Sequence, residues 1–129
     1  MRVLRTGLLI AVMATVAATA AWAPPAAHVQ SNAQSLPHTH DPRIGPRVGM
    51  GPILTGSPDV LIAGKPAARV QDTGTSPGCG GPSTFTIIKG SATVLINGRP
   101  AARMGDQTQH CGIAMGSIVQ GAPTVLIGG

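Results

Sequence analysis

The sequence has no tyrosine and no glutamate, and only one phenylalanine (Phe85) and one tryptophan (Trp22) among its 129 residues. A large aromatic core is excluded. So is a platform of rings on which bases could stack, and the Lys and Arg residues are scattered, so nucleic-acid binding is not indicated. The acidic residues are four aspartates, Asp41, Asp59, Asp72 and Asp106, spread along the chain. No close carboxylate pair for acid–base chemistry is suggested, and the chain reads as no enzyme, with no small-molecule substrate. Cysteine is scarce too. Cys79 and Cys111 are the only two, neither in a C-x-x-C pair. They do not make a disulfide framework by themselves.

Glycine and proline are abundant, at 18 and 12 residues, nearly a quarter of the chain. An ordinary domain has roughly 12% of the two together. The apolar residues are Val, Ile, Leu and Ala in short runs, which fits strands of a few residues joined by tight turns. A small domain with so thin a core often needs a disulfide or a metal as a staple. The net charge is +5, and Arg2 and Arg5 belong to an N-terminal extension.

That extension, residues 1–23, reads MRVLRTGLLIAVMATVAATAAWA. Two arginines precede an uncharged apolar run that ends in small residues of A-x-A form. This is the layout of a signal peptide, or of an uncleaved hydrophobic helix at the lower edge of a membrane span. Pro24 and Pro25 stop any helix there. Residues 24–36 are rich in Pro, Ala, Ser and Gln and read as a linker. Residues 37–129 then form one domain.

A duplication dominates that domain. GSPDVLIAGKPAARVQD (56–72) and GSATVLINGRPAARMGD (90–106) share eleven of 17 positions at an offset of 34. A truncated third copy, GAPTVLIGG, closes the chain at 121–129. Such a period marks one supersecondary unit used repeatedly. Val94-Leu95-Ile96 reads as a short strand, Asn97-Gly98 as a two-residue hairpin turn, and the segment from Arg99 as the return arm. Pro100 donates no backbone hydrogen bond and belongs at an edge or strand start. One unit cannot bury its own apolar face. Three around an axis would share a narrow core, and alanines at 67, 68, 101 and 102 suit crowding at that axis. The expected fold is all-β, a small pseudo-threefold cone of hairpin repeats, preceded by a hydrophobic N-terminal helix.

The two Pro-Ala-Ala-Arg tetrapeptides, 66–69 and 100–103, together with GSPDVLIAGK, GSATVLINGR, Met104-Gly105-Asp106 and GAPTVLIGG, resemble the PAAR-repeat family over roughly residues 44–129. The resemblance implies a membrane-piercing tip that caps the trimeric β-helical spike of a type VI secretion system or a related contractile injection machine. One chain would cap one trimer, be a monomer on its own, assemble in the cytoplasm and meet a target membrane on delivery. It also implies a zinc ion near the vertex, held by histidines and a cysteine. The alternative, which a signal peptide favours, is an exported envelope zinc protein on the same fold with no injection role.

Zinc takes four N or S ligands. Cys79 lies eleven residues before Gly90, and His110 eleven before Gly121, which puts them on equivalent loops. The segment before the first hairpin holds His38 and His40. The expected ligand set is His38, His40, Cys79 and His110, with Cys111 as substitute. Such a site, with no open position for water, would be structural. A disulfide between Cys79 and Cys111 is the rival reading. His28 falls in the linker, outside the repeat, and Asp72 and Asp106, at equivalent positions, suggest turn chemistry.

Overall fold

The structure is a computed structural model that describes residues 23–38, 48–77 and 83–129. Residues 1–22, and with them nearly all of the expected helix or signal peptide, lie outside the described residues, as do His40 and Cys79. Among the described residues there is no helix long and apolar enough to cross a membrane. All regular structure among them is β.

The strands are short, as their Gly- and Pro-rich boundaries require. They are β1 (Pro25–Ala26), β2 (Asn32–Ser35), β3 (Met50–Pro52), β4 (Leu61–Ile62), β5 (Lys65–Pro66), β6 (Thr73–Thr75), β7 (Thr84–Ile87), β8 (Leu95–Ile96), β9 (Arg99–Pro100), β10 (Gln107–His110), β11 (Ala114–Ile118) and β12 (Ala122–Leu126). Two layers result. One holds three two-stranded hairpins, β4–β5, β8–β9 and β1–β12. The other is a six-stranded antiparallel sheet in the order β3-β2-β11-β10-β7-β6, and the bridge between Ile53 and Gly74 brings its two edge strands together into a nearly closed ring.

The hairpin turns follow the sequence. Asn97 and Gly98 take φ of 54° and 77°, and Ala63 and Gly64 take 53° and 78°. A left-handed pair at both positions matches the twist of the flanking strands, which is why Asn-Gly is favoured there. Ala63 adopts the same shape without the help of an asparagine side chain.

Residues 24–36, expected to be a linker, are instead part of the folded core. Pro25 pairs with Leu126, and β2 lies between β3 and β11 inside the six-stranded sheet. Ala26, Ala27 and Ala33 are fully buried. The segment Pro25-Ala26-Ala27-His28-Val29-Gln30-Ser31 takes the place that Pro66–Asp72 and Pro100–Asp106 take in the other two units. The truncated third copy at the C-terminus is therefore completed by the N-terminal segment, and the third hairpin is closed by the two ends of the domain.

Backbone hydrogen bonds show the resulting threefold. Ala27 N donates to Ala102 O (2.9 Å), Ala102 N to Ala68 O (3.0 Å) and Ala68 N to Ala27 O (3.0 Å). One residue pair further out, Val29 N donates to Pro66 O, Val70 N to Pro100 O and Met104 N to Pro25 O, each at 2.8–2.9 Å. The core is built in the same triplets. Ile62, Ile96 and Ile127 pack with Ala26, Ala67 and Ala101 in the hairpin layer. Ile53, Ile87 and Ile118 pack with Ala27, Ala68, Ala102 and Phe85 in the sheet layer. The same close approach demands Gly90, where an added Cβ would come within 2.7 Å of Ala101 O, and equally Gly56 and Gly121 against Ala67 and Ala26.

Candidate functional site

The sheet layer carries the chemistry at its far end. The chain leaves each hairpin, passes the alanine ring and runs up β2, β6 or β10. These strands alternate, so Ala33, Gly74 and Thr108 face inward, followed two residues on by Ser35, Ser76 and His110. The structural counterparts of His110 are thus Ser35 and Ser76, each four residues after the turn residue Ser31 or Asp72. Counting back from Gly90 and Gly121 pairs Cys79 with His110, but the loop before Gly90 is the longer one, and strand pairing sets Ser76 level with His110 instead.

His110 is fully buried. Its ring stacks on Phe85, with centroids 4.9 Å apart and planes at 25°. Nδ1 lies 2.7 Å from Ser76 Oγ and Nε2 lies 2.7 Å from Thr108 Oγ1. Gly116 makes the room, since a Cβ there would meet Nε2 at 2.6 Å. Burial, and then the nearby His38, push the His110 pKa down to about 4, so the imidazole is neutral at physiological pH. In the unfolded chain it titrates at the ordinary value of about 6.5. Its contribution to metal-free stability is therefore fully present above about pH 6.5 and is lost as pH falls toward 4, by up to about 3 kcal/mol. Chemical denaturation at stepped pH should show that slope, and His110→Gln should flatten it. An equal slope in both proteins would place the acid sensitivity elsewhere.

His38 stands at the same end. Its Nδ1 lies 2.9 Å from Leu36 O and 3.3 Å from Ser35 Oγ. The carbonyl can only accept, so Nδ1 carries a hydrogen, as it does in a histidine that ligates metal through Nε2. Cys111 follows His110 in a tight turn, at φ 58° with Gly112 at 75°. It is disulfide-bonded, and Cys79 is the only other cysteine in the sequence.

The fit to zinc is therefore divided. His38 carries a hydrogen on Nδ1 as a ligating histidine does, and neutral His110 is the form that binds metal. Both His110 nitrogens are, however, already held by hydroxyls, and an oxidised Cys111 offers no thiolate. Among the described residues no group of three or more His, Cys or Asp side chains could hold a metal.

Between the layers lie two ion pairs that tie the repeat together. Arg69 forks onto Asp72, with its backbone N and Nε 2.8 and 2.9 Å from Oδ2 and its Nη2 3.1 Å from Oδ1. Arg103 and Asp106 repeat this at 2.8, 3.0 and 3.0 Å. The remaining nitrogen reaches the turn of the next hairpin, Arg69 Nη1 to Asn97 Oδ1 (3.0 Å) and Arg103 Nη1 to Gly128 O (3.1 Å). The aspartates thus do serve the turn, through the backbone bond, and also clamp the arginine. In the third unit His28 and Ser31 stand in these places, joined by His28 N to Ser31 Oγ at 3.2 Å. His28 is thus inside the repeat, contrary to its sequence reading.

The hairpin layer ends in an apolar triad. Leu61, Leu95 and Leu126, at equivalent positions, are 63%, 61% and 53% exposed.

A family model described as PAAR motif matches residues 48–115, more than half of the chain. The chain belongs to the PAAR-motif family. A search of curated proteins found no match. The PAAR match covers the first two hairpins and stops short of both chain ends. Residues 25–35 and 116–129, which complete the PAAR threefold, lie outside it. The missed signal was PAAH at 25–28: read as a PAAR tetrapeptide with His for Arg, it announces the third unit. PAAR proteins are structural spike-tip proteins and are generally metal-binding.

Proposed function

We propose that this PAAR protein caps the end of a trimeric β-helical spike in a contractile injection machine, with the hairpin layer docked and the sheet layer pointing outward. The observation that carries this reading is the exposed triad Leu61, Leu95 and Leu126. A trimer offers three equal coil ends, and one chain with an internal threefold offers three equivalent leucines to them. The strands that carry the leucines, β4, β8 and β12, would continue backbone pairing into the last coil of the spike. Light scattering on a mixture with the cognate spike should give one chain per three spike chains. A ratio of three to three, or a trimer of this chain alone, contradicts the proposal.

We further propose that zinc, held by His38, His40, Cys79 and His110, fixes the outward end in the reduced chain. Ligation needs thiolate at Cys79 and the release of one hydroxyl bond by His110. Elemental analysis should find about one zinc per chain after reduction, a structural zinc contributing on the order of 10 kcal/mol in small domains. No metal in the reduced protein would refute the site.

The disulfide at Cys111 favours the second reading, an exported envelope protein, because disulfides persist in oxidising compartments. A chain that stays monomeric in the presence of the cognate spike would follow that reading.

A further inference from the structure

The pseudo-threefold is broken in charge in its third unit, where Pro24, His28 and Ser31 stand in place of charged residues, and one of these changes opens a site. In the first unit the Asp72 carboxylate receives Arg69 and, from the next hairpin, Arg99 at 3.5 Å. In the second, Asp106 receives Arg103 at 3.0 Å. By the same rotation the third unit brings together His28, Ser31 and Lys65. The cation contributed by the neighbouring hairpin is kept, as Lys65 for Arg99, but the carboxylate is replaced by the short hydroxyl of the buried Ser31. Among the described residues no carboxylate lies within ion-pair distance of Lys65, whereas Arg69, Arg99 and Arg103 each have one. His28 is also too short to span to the neighbouring turn as the two arginines do, and its Nδ1 is turned to Val29 O at 2.7 Å. The space so released is a cleft of about 450 Å³ lined by His28, Gln30, Ser31, Lys65, Met104 and Gln120.

We infer that this cleft binds a carboxylate from outside the chain, seated where Asp72 and Asp106 sit in the other two units. Lys65 supplies the charge. The amide of Gln30 or Gln120 and the Ser31 hydroxyl supply further donors, while Met104 forms an apolar wall. The fold holds a carboxylate at two of three equivalent positions and, at the third, keeps a cation, Lys65, in the place that Arg99 takes beside Asp72, next to a cleft. A lone lysine on a surface has no such frame. The same chemistry could come from a free small carboxylate or from an acidic side chain of a docked protein.

The test is a titration of the full chain, in neutral detergent at constant ionic strength, followed by amide NMR. Acetate should give saturable shifts at His28, Ser31 and Lys65. Lys65→Met should weaken them about tenfold, the loss of one charge-assisted hydrogen bond. Ser31→Asp should abolish them by supplying the carboxylate from within. The tripeptides acetyl-Gly-Asp-Gly-amide and acetyl-Gly-Asn-Gly-amide separate the sources. Tighter binding of the Asp peptide than of acetate assigns a protein side chain, and the reverse a free ion. Equal shifts from the Asn peptide, or shifts unchanged in both Lys65→Met and Ser31→Asp, would overturn the site.

Discussion

Changing Leu61, Leu95 and Leu126 together to aspartate should abolish spike capping and leave the fold intact. Each side chain is more than half exposed in the free protein, and substitutions at such positions usually alter stability by within about 0.5 kcal/mol. On docking, each leucine would lose its remaining contact with water, which is worth about 1–2 kcal/mol for side chains already partly buried. Losing three is a loss of about 3–5 kcal/mol, or roughly a hundredfold to a few thousandfold in Kd. Three carboxylates buried against the spike would add to it. Light scattering should find the variant and the spike apart, with the melting temperature of the variant close to that of the parent. Capping at parental affinity would mean that the hairpin layer is not the docking face. Single changes should fall between, because each leucine faces its own spike chain.

Asp72→Ala should be the most destabilising single change among the polar residues, by about 3–5 kcal/mol, the usual cost of breaking a buried ion pair from one side. Asp72 is 3% exposed and Arg69 7%. The substitution strands that guanidinium, and it also strips the backbone N of Arg69, the hydroxyl of Thr55 and the guanidinium of Arg99 of a common acceptor. The third unit shows how the fold does without the pair: His28 and Ser31 remove both charges at once. Asp72→Ser combined with Arg69→His should therefore be less damaging than Asp72→Ala alone. Urea denaturation of the two variants measures the difference. If the double variant is the weaker of the two, the ion pair is not the source of the loss.

Much of this was legible in the sequence, for reasons that are local. The strands are short because Gly and Pro punctuate every few residues, and the Asn97-Gly98 turn follows from the dihedral freedom of those two residues alone. Copies of one unit must share a core, since neither Val94-Leu95-Ile96 nor its return arm buries a face by itself. From these features the all-β hairpin repeat and its approximate threefold could be deduced. The site was less legible. His38 and His110 do end at the same end of the sheet, but which residues stand level with His110 depends on strand pairing. That pairing puts Ser35 and Ser76 there.

The sequence by itself determined the repeat, its turns, the PAAR tetrapeptides and the sparse aliphatic core, because each is set by residue type and spacing within one unit. Only the tertiary structure decided how the third unit is completed. Pro25–Ser31 and Gly121–Gly129 lie at opposite ends of the domain, and no local rule joins them. They pair because the ring of Ala27, Ala68 and Ala102 otherwise leaves backbone groups unpaired, and buried peptide groups require partners. The structure likewise decided that His110 is a neutral core histidine between two hydroxyls, that Cys111 is oxidised, and that His28, Ser31 and Lys65 meet at one cleft. Each depends on contacts between units, where burial and charge are set by neighbours distant in the chain.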